Sequence, residues 1–186
     1  MQEKTIYLDN SATTKMDSAV FDAMLPYLKD EYANASSMYS IARKSRKAIE
    51  DARETVAKIL NASPEEIYFT SGGTESDNTA IWGIAHANIE KGRHIITSKI
   101  EHLAVLDTCK SLEREGFEVT YLDTDECGRV SIDSLKAAIR KDTILITIMY
   151  ANNEIGTIQN IEEIGKLARQ HNIYIFTLMR YKLREH

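Results

Sequence analysis

Thr143-Ile144-Leu145-Ile146-Thr147-Ile148-Met149-Tyr150 is a nearly unbroken apolar run of strand length. A strand with one wet face alternates polar and apolar residues, so a continuous run signals burial on both faces, which a sheet achieves when helices cover both of its sides. The surrounding sequence supplies the other parts. Further β-rich runs occur at Ile67-Tyr68-Phe69-Thr70 and at 93–98, 117–122 and 173–176. Helical spacing fills the intervals: from Thr74, with Ile81, Ile84 and Ala85 on one face; then Val105, Leu106, Cys109 and Leu112; then 132–139 and 161–170. Strand and helix in alternation predict an α/β fold, a mainly parallel sheet flanked by helices with right-handed crossovers. Upstream, 17–28 and 39–60 read as two helices with no strand between them, an arm or a separate layer.

Composition narrows the function classes. The 186 residues carry 23 Lys and Arg against 28 Asp and Glu, a net charge of −5, with 43% hydrophobic residues. That balance belongs to an ordinary soluble globular protein with one sizeable domain, or one domain and part of another. A mildly acidic chain is a poor match for nucleic acid held by phosphate neutralisation, and the short basic group Arg43-Lys44-Ser45-Arg46-Lys47 reads as a solvated helix face. Cys109 and Cys127 are too few and too isolated for a disulfide framework or a metal site, which suits a reducing cytoplasm. No stretch approaches the ~20 apolar residues needed to cross a bilayer, and the amino terminus lacks the apolar core of a signal peptide.

In an open parallel sheet, ligands bind beyond the carboxyl ends of the strands, so the residues that follow each apolar run are the candidates. Three places qualify. Ser71-Gly72-Gly73-Thr74-Glu75 is a glycine turn opening a helix, either an anion site or a turn with an N-cap Thr. It matches neither a Walker loop nor a dinucleotide fingerprint, which disfavours a nucleotide-binding domain. Lys99-Ile100-Glu101-His102 places a His between a strand and a helix, structural or functional. Tyr150-Ala151-Asn152-Asn153-Glu154 carries two amides that serve either a turn or a polar ligand. His86, His94, His171 and His186 have no such placement and are assigned to surface or packing.

Taken in order, Tyr7-Leu8-Asp9-Asn10-Ser11-Ala12-Thr13-Thr14, Asn34-Ala35-Ser36-Ser37, the segment from Phe69 to Asn78, Glu101-His102-Leu103-Ala104-Val105-Leu106 and Asn152-Asn153-Glu154-Ile155-Gly156 resemble the cysteine desulfurases of the NifS and IscS type. These belong to the class V aminotransferase group of fold type I pyridoxal phosphate enzymes. The resemblance implies that Gly73 and Thr74 hold the phosphate of pyridoxal 5'-phosphate, that His102 stacks on its ring and relays protons, and that Asn153 bonds its phenolic oxygen. It also implies that Asn34 lies toward the substrate. Ala35 stands where many members have Pro, and Tyr39 near a position that is often His. The implied reaction converts L-cysteine to L-alanine and an enzyme-bound persulfide. A cytoplasmic homodimer would deliver that sulfur to an iron-sulfur scaffold or a tRNA-thiolation protein.

The resemblance stops at Phe176, about halfway through the family chain. There the family continues His-x-Asp-Ala-x-Gln, followed by the Schiff-base Lys and the sulfur-accepting Cys, whereas this sequence reads Thr177-Leu178-Met179-Arg180-Tyr181-Lys182-Leu183-Arg184-Glu185-His186. The expected organisation is therefore an amino-terminal arm over 1–60, part of a truncated cofactor-binding large domain over 61–176, and an aberrant tail over 177–186. Placing one C before a permitted back-translation of the tail gives His-Thr-Asp-Ala-Val-Gln-Ala-Lys-Gly-Ala, which points to a frameshift. On this reading the chain alone is inactive, either the amino-terminal part of a desulfurase or a noncatalytic module that pairs with a full-length subunit. Loss of the later strands is expected to expose 143–150 as a sheet edge.

Overall fold

The computed structural model describes residues 6–10 and 12–177, which divide after Phe69 into two compact units. In the first, helix α1 spans Ser18–Lys29 and α2 spans Ala42–Leu60. Asp17 starts α1 by accepting from the Ala19 amide at 2.8 Å. Pro26 lies within α1, and its carbonyl collects the Asp30 and Glu31 amides as the helix ends. Asn61, in the left-handed region at φ 52°, stops α2. The basic group on α2 is engaged within this unit. Arg46 donates to the carbonyls of Ala35 and Ser37 at 2.9 and 3.1 Å, Lys44 pairs with Glu31, and Lys47 pairs with Asp51.

A single 3-10 turn at Pro64–Glu66 follows α2. The run 67–70 is not a strand, contrary to the sequence expectation. Arg53 donates to the Ile67 carbonyl at 3.3 Å and lies over the Phe69 ring at 5.4 Å, so α2 side chains hold this segment where a ladder would otherwise pair it.

The second unit is a four-stranded parallel sheet. Its strands are β1 (His94–Ser98), β2 (Glu118–Leu122), β3 (Thr143–Thr147) and β4 (Tyr174–Phe176), in the order β2-β1-β3-β4. Helix α3 (Gly73–Ala87) leads into β1, and α4 (Leu103–Arg114), α5 (Ile132–Ala138) and α6 (Ile161–Gln170) connect the successive strands. Side chains alternate across a strand, so Ile95 and Leu145 join Ile81, Ala85, Val105 and Leu112 of α3 and α4 in one core layer. Ile96 and Ile146 join Leu135, Ile164 and Leu167 of α5 and α6 in the other. Each fully buried Ile, Leu or Val side chain among them contributes about 1.5–3 kcal/mol.

β3 pairs with both β1 and β4 and is buried along its whole length, which corrects the expectation that 143–150 forms an exposed edge. In the described part of the sheet the edges are instead β2 and the three-residue β4. The proposed frameshifted tail lies outside the described residues apart from Thr177. No helix among the described residues is long and apolar enough to cross a membrane.

His94 sits inside the sheet with no exposed surface. Its Nδ1 meets Thr143 Oγ1 at 2.7 Å and its Nε2 meets Thr120 Oγ1 at 2.8 Å, so one side chain ties three strands. Burial, with the Arg140 charge behind it, lowers the His94 pKa below the ordinary 6.5. The unfolded chain then binds the proton more readily, so this contribution to stability is complete above pH 6.5 and is lost as pH falls toward the folded value. Changing His94→Ala removes the ring that joins the Thr143 and Thr120 hydroxyls and leaves a cavity inside the sheet, and is expected to cost about 2–4 kcal/mol in urea unfolding. The wild-type excess over that variant should shrink as pH drops below about 6.5; a constant excess would show that His94 does not titrate on folding.

Candidate functional site

From β1 the chain crosses to β2 on one side, while β3 leads to β4 on the other. The strand order therefore reverses between two neighbours, and the loops leaving their carboxyl ends part to open a crevice. His102 follows β1 and Asn153 follows β3. A cleft of about 480 Å³ between the two loops is lined by His102, Leu103, Asn153 and Glu154 among others. An adjoining depression of about 490 Å³ is lined by Thr74, Asn78, Trp82 and, again, His102. Thr74 and Asn153 thus line separate hollows, and His102 and Leu103 line both.

Thr74 is exposed in the first turn of α3, where helix amides have no intrahelical acceptor and the helix dipole favours an anion. Gly72 provides no side-chain cap to this turn. A Cβ built on Gly72 or on Gly73 would meet nothing within 4 Å, so the backbone here faces open space of the kind an anion requires. Glu75 is the one acid in this turn. Its carboxylate accepts from Ser71 Oγ at 2.6 Å and Ser71 N at 2.7 Å, and those bonds hold it below the usual carboxylate range.

His102 is the N-cap of α4, with its Nδ1 accepting from the Ala104 amide at 3.1 Å. That bond requires an unprotonated Nδ1, so the neutral ring carries its proton on Nε2. The structural role left open by the sequence is therefore real, and the same residue lines the cleft. Asn78, in α3, lies within hydrogen-bond reach of Thr74 O (3.2 Å), Ala104 O (3.1 Å) and Thr108 Oγ1 (2.7 Å), stitching the start of α3 to the start of α4.

The two amides after β3 divide the work. Asn152 is buried and supports the turn: its Oδ1 accepts from the Glu154 and Ile155 amides at 2.8 and 3.0 Å. Asn153 is only half-buried and lines the cleft. Cys109 is buried in α4, its thiol pushed up to about 12 by burial, and Cys127 is exposed in a turn. Asn34 lies in the first unit, where its Oδ1 accepts from the Ser36 amide at 2.9 Å.

Sequence reasoning assigned no role to Glu101, although it quoted the residue beside His102. Its Oε1 accepts from Ser98 Oγ at 2.7 Å and from the Met149 amide at 2.9 Å, and it is only 6% exposed. The available signal was weak: an acid three residues beyond the β1 run His94-Ile95-Ile96-Thr97-Ser98, near the buried end of a strand where a charge is costly unless bonded.

A family model described as "Aminotransferase class-V" matches residues 6–177. The cysteine desulfurase IscS of Methanosarcina thermophila is 59% identical over 176 residues, covering 95% of this chain and 44% of that protein. A solved structure titled "NIFS-LIKE PROTEIN" superposes with a TM-score of 0.90 at 39% identity, over 94% of this chain and 48% of the other. A second, "SspA in complex with cysteine", gives 0.88 at 46% identity, over 93% of this chain and 50% of the other. The chain therefore spans less than half the length of the curated relative that it matches.

Burial, helped by the charge of Asp77 and opposed by the Met149 and Ser98 hydrogen bonds, pushes the Glu101 carboxyl up to about 7. An acid whose folded value lies above its ordinary 4.5 favours the fold at low pH, and that contribution is lost as pH rises toward about 7. His94 acts in the opposite sense over part of this range, so the difference between two proteins is the useful quantity. Relative to wild type, Glu101→Gln is expected to gain stability between about pH 5 and 7 and to level off above that. A difference independent of pH in urea titrations would show that Glu101 ionises normally.

Proposed function

The chain belongs to the class V aminotransferase family, and from that premise we propose that it forms the phosphate- and ring-holding side of a pyridoxal 5'-phosphate site in a cysteine desulfurase. The observation that carries this reading is the placement of His102. That residue lines both the depression holding Thr74 and the cleft holding Asn153, at the point where the strand order reverses. A flat ligand with a phosphate at one end matches that layout, with the open backbone at Gly73 supporting the anionic end.

When bound, pyridoxal 5'-phosphate supplies an electron sink for bond breaking in an amino-acid substrate. The residues of this chain bind, orient and move protons. Gly73 and Thr74 offer backbone amides and a hydroxyl to the phosphate at the positive end of α3. His102 offers a flat face to the ring. With Nδ1 engaged by the Ala104 amide, its proton exchange is confined to Nε2. Asn153 offers an amide to the phenolic oxygen, while Asn152 fixes the turn on which it rides.

The substrate in this proposal is L-cysteine, with Asn34 toward the substrate end, and the products are L-alanine and an enzyme-bound persulfide. The structure titled as a complex with cysteine supports that choice. The persulfide sulfur would pass, from a cytoplasmic homodimer, to an iron-sulfur scaffold or a tRNA-thiolation protein. Residues 61–176 form the cofactor-binding part of the chain and 1–60 its amino-terminal arm. Cys109, buried and hard to ionise, is not the sulfur acceptor.

The 186-residue chain is expected to bind pyridoxal 5'-phosphate reversibly in calorimetric titration. Thr74→Ala removes a hydroxyl facing a charged phosphate and should weaken binding by about tenfold. His102→Asn keeps an acceptor for the Ala104 amide but loses the flat ring, and should weaken binding comparably without unfolding α4. Unchanged affinity in both variants would overturn the assignment. The chain alone should form no alanine from L-cysteine above background, and turnover would refute its proposed inactivity.

A further inference from the structure

The residues that immediately precede His102 and Asn153 are both buried, each at 6% exposure, and each bonds to the backbone of the other's loop. Glu101, on the loop after β1, accepts from the Met149 amide at the end of β3. Asn152, on the loop after β3, donates its Nδ2 to the Ile100 carbonyl after β1 at 3.0 Å. The side chains reach across the crevice from opposite sides, although both donors, Met149 N and Asn152 Nδ2, lie after β3 and both acceptors, Glu101 Oε1 and the Ile100 carbonyl, lie after β1. Each is also anchored on its own side. Ser98 Oγ holds the same Glu101 oxygen that Met149 uses, and the Glu154 and Ile155 amides hold Asn152 Oδ1.

These links lie where pairing between β1 and β3 has ended, since the register runs from His94 only to Thr97 opposite Thr147. Beyond it the two chains diverge, and side chains replace the ladder as the connection between them. The far end of the second loop is fixed separately. Gln159 accepts from the Val130 amide at 2.9 Å and donates to the Gly128 carbonyl at 2.6 Å. The near end, which carries Asn153, depends on Asn152. A buried carboxylate is a costly way to fill space, and an apolar side chain of similar volume would pack there without the desolvation penalty. Its acceptor function accounts for its presence, because Met149 N would otherwise be a buried donor at the mouth of the site.

We propose that Glu101 and Asn152 form a reciprocal clasp that sets the separation and orientation of His102 relative to Asn153, making both of them positioning residues for recognition of the cofactor ring. This rests on the pyridoxal 5'-phosphate reading above. The clasp touches the ring-facing pair and not the phosphate end, since Thr74 is held to α4 through Asn78 instead. Ring affinity and phosphate affinity should therefore separate.

The test uses the full 186-residue chain and quenching of Trp82, the single tryptophan, which lines the depression beside Thr74. Pyridoxal 5'-phosphate and inorganic phosphate are titrated in parallel into wild type, E101A, E101Q and N152D. Asn152→Asp keeps the acceptor for the Glu154 and Ile155 amides and removes the donor to Ile100; Glu101→Gln keeps the acceptor for Met149. E101A and N152D should each weaken pyridoxal 5'-phosphate by about tenfold and inorganic phosphate by less than about twofold, with E101Q close to wild type. In the doubly changed protein the losses should not add, because the two links constrain one separation. Wild-type affinity in E101A and N152D would overturn the clasp, and so would parallel loss of both ligands, which is the mark of general destabilisation.

If wild type binds no pyridoxal 5'-phosphate, the cofactor reading fails, and amide exchange then judges the clasp by itself. The Met149 amide should exchange about tenfold faster in E101A, and also in N152D, while the Ile96 amide inside β1 is unchanged. Met149 exchange that is the same in N152D as in wild type would show that the two links are not coupled and would overturn the proposal.

Discussion

β1 and β3 must be buried on both faces and must also part company at one end, and most of the second unit follows from those two demands. Burial on both faces requires α3 and α4 on one side and α5 and α6 on the other. The chain reaches β2 from one member of the pair and β4 from the other, so their loops diverge where the ladder stops. A crevice is then unavoidable, and its walls are the residues that follow the two strands. Side-chain chemistry at those few positions decides what the crevice can hold.

Buried polar groups sit at both ends of this strand pair. At the amino end His94 joins Thr143 and Thr120, and at the carboxyl end Glu101 joins Ser98 to Met149. The apolar layers between them are tolerant of register in a way that hydrogen bonds are not, because a donor must face an acceptor within a few tenths of an ångström. Fixing both ends of β1 against β3 by such bonds holds the geometry at the crevice mouth while leaving the energetic bulk of the fold to aliphatic packing. The two titratable groups respond to pH in opposite directions, so their effects partly offset one another in the mildly acidic range below about pH 6.5.

Much of this was legible in the sequence because burial leaves a period. The run around Ile144 to Ile148 announced a doubly covered strand, and the helix 161–170 was readable from its spacing and appears as Ile161–Gln170. The run at Ile67 to Thr70 misled because β-propensity says nothing about whether a neighbouring strand exists, and here Arg53 of α2 takes the Ile67 carbonyl. At the site, the rule that candidates follow apolar runs picked out the segments 71–75, 99–102 and 150–154, and the family resemblance, not position, singled out Thr74 and Asn153 within them. Neither could reveal that Asn152 reaches the Ile100 carbonyl, or that Glu101 reaches Met149, because those contacts join segments about fifty residues apart in sequence and depend on the order of strands in the sheet.

The capping bond of His102 also restricts which amino acids can occupy that position. Good helix caps are Ser, Thr, Asp and Asn, none of which carries an aromatic ring. The aromatic side chains are Phe, Tyr, Trp and His, and among them only His carries an acceptor nitrogen near enough to its own backbone to reach the amide two residues on. A position required to start α4 and to present a ring toward the cleft admits a single member of the genetic code.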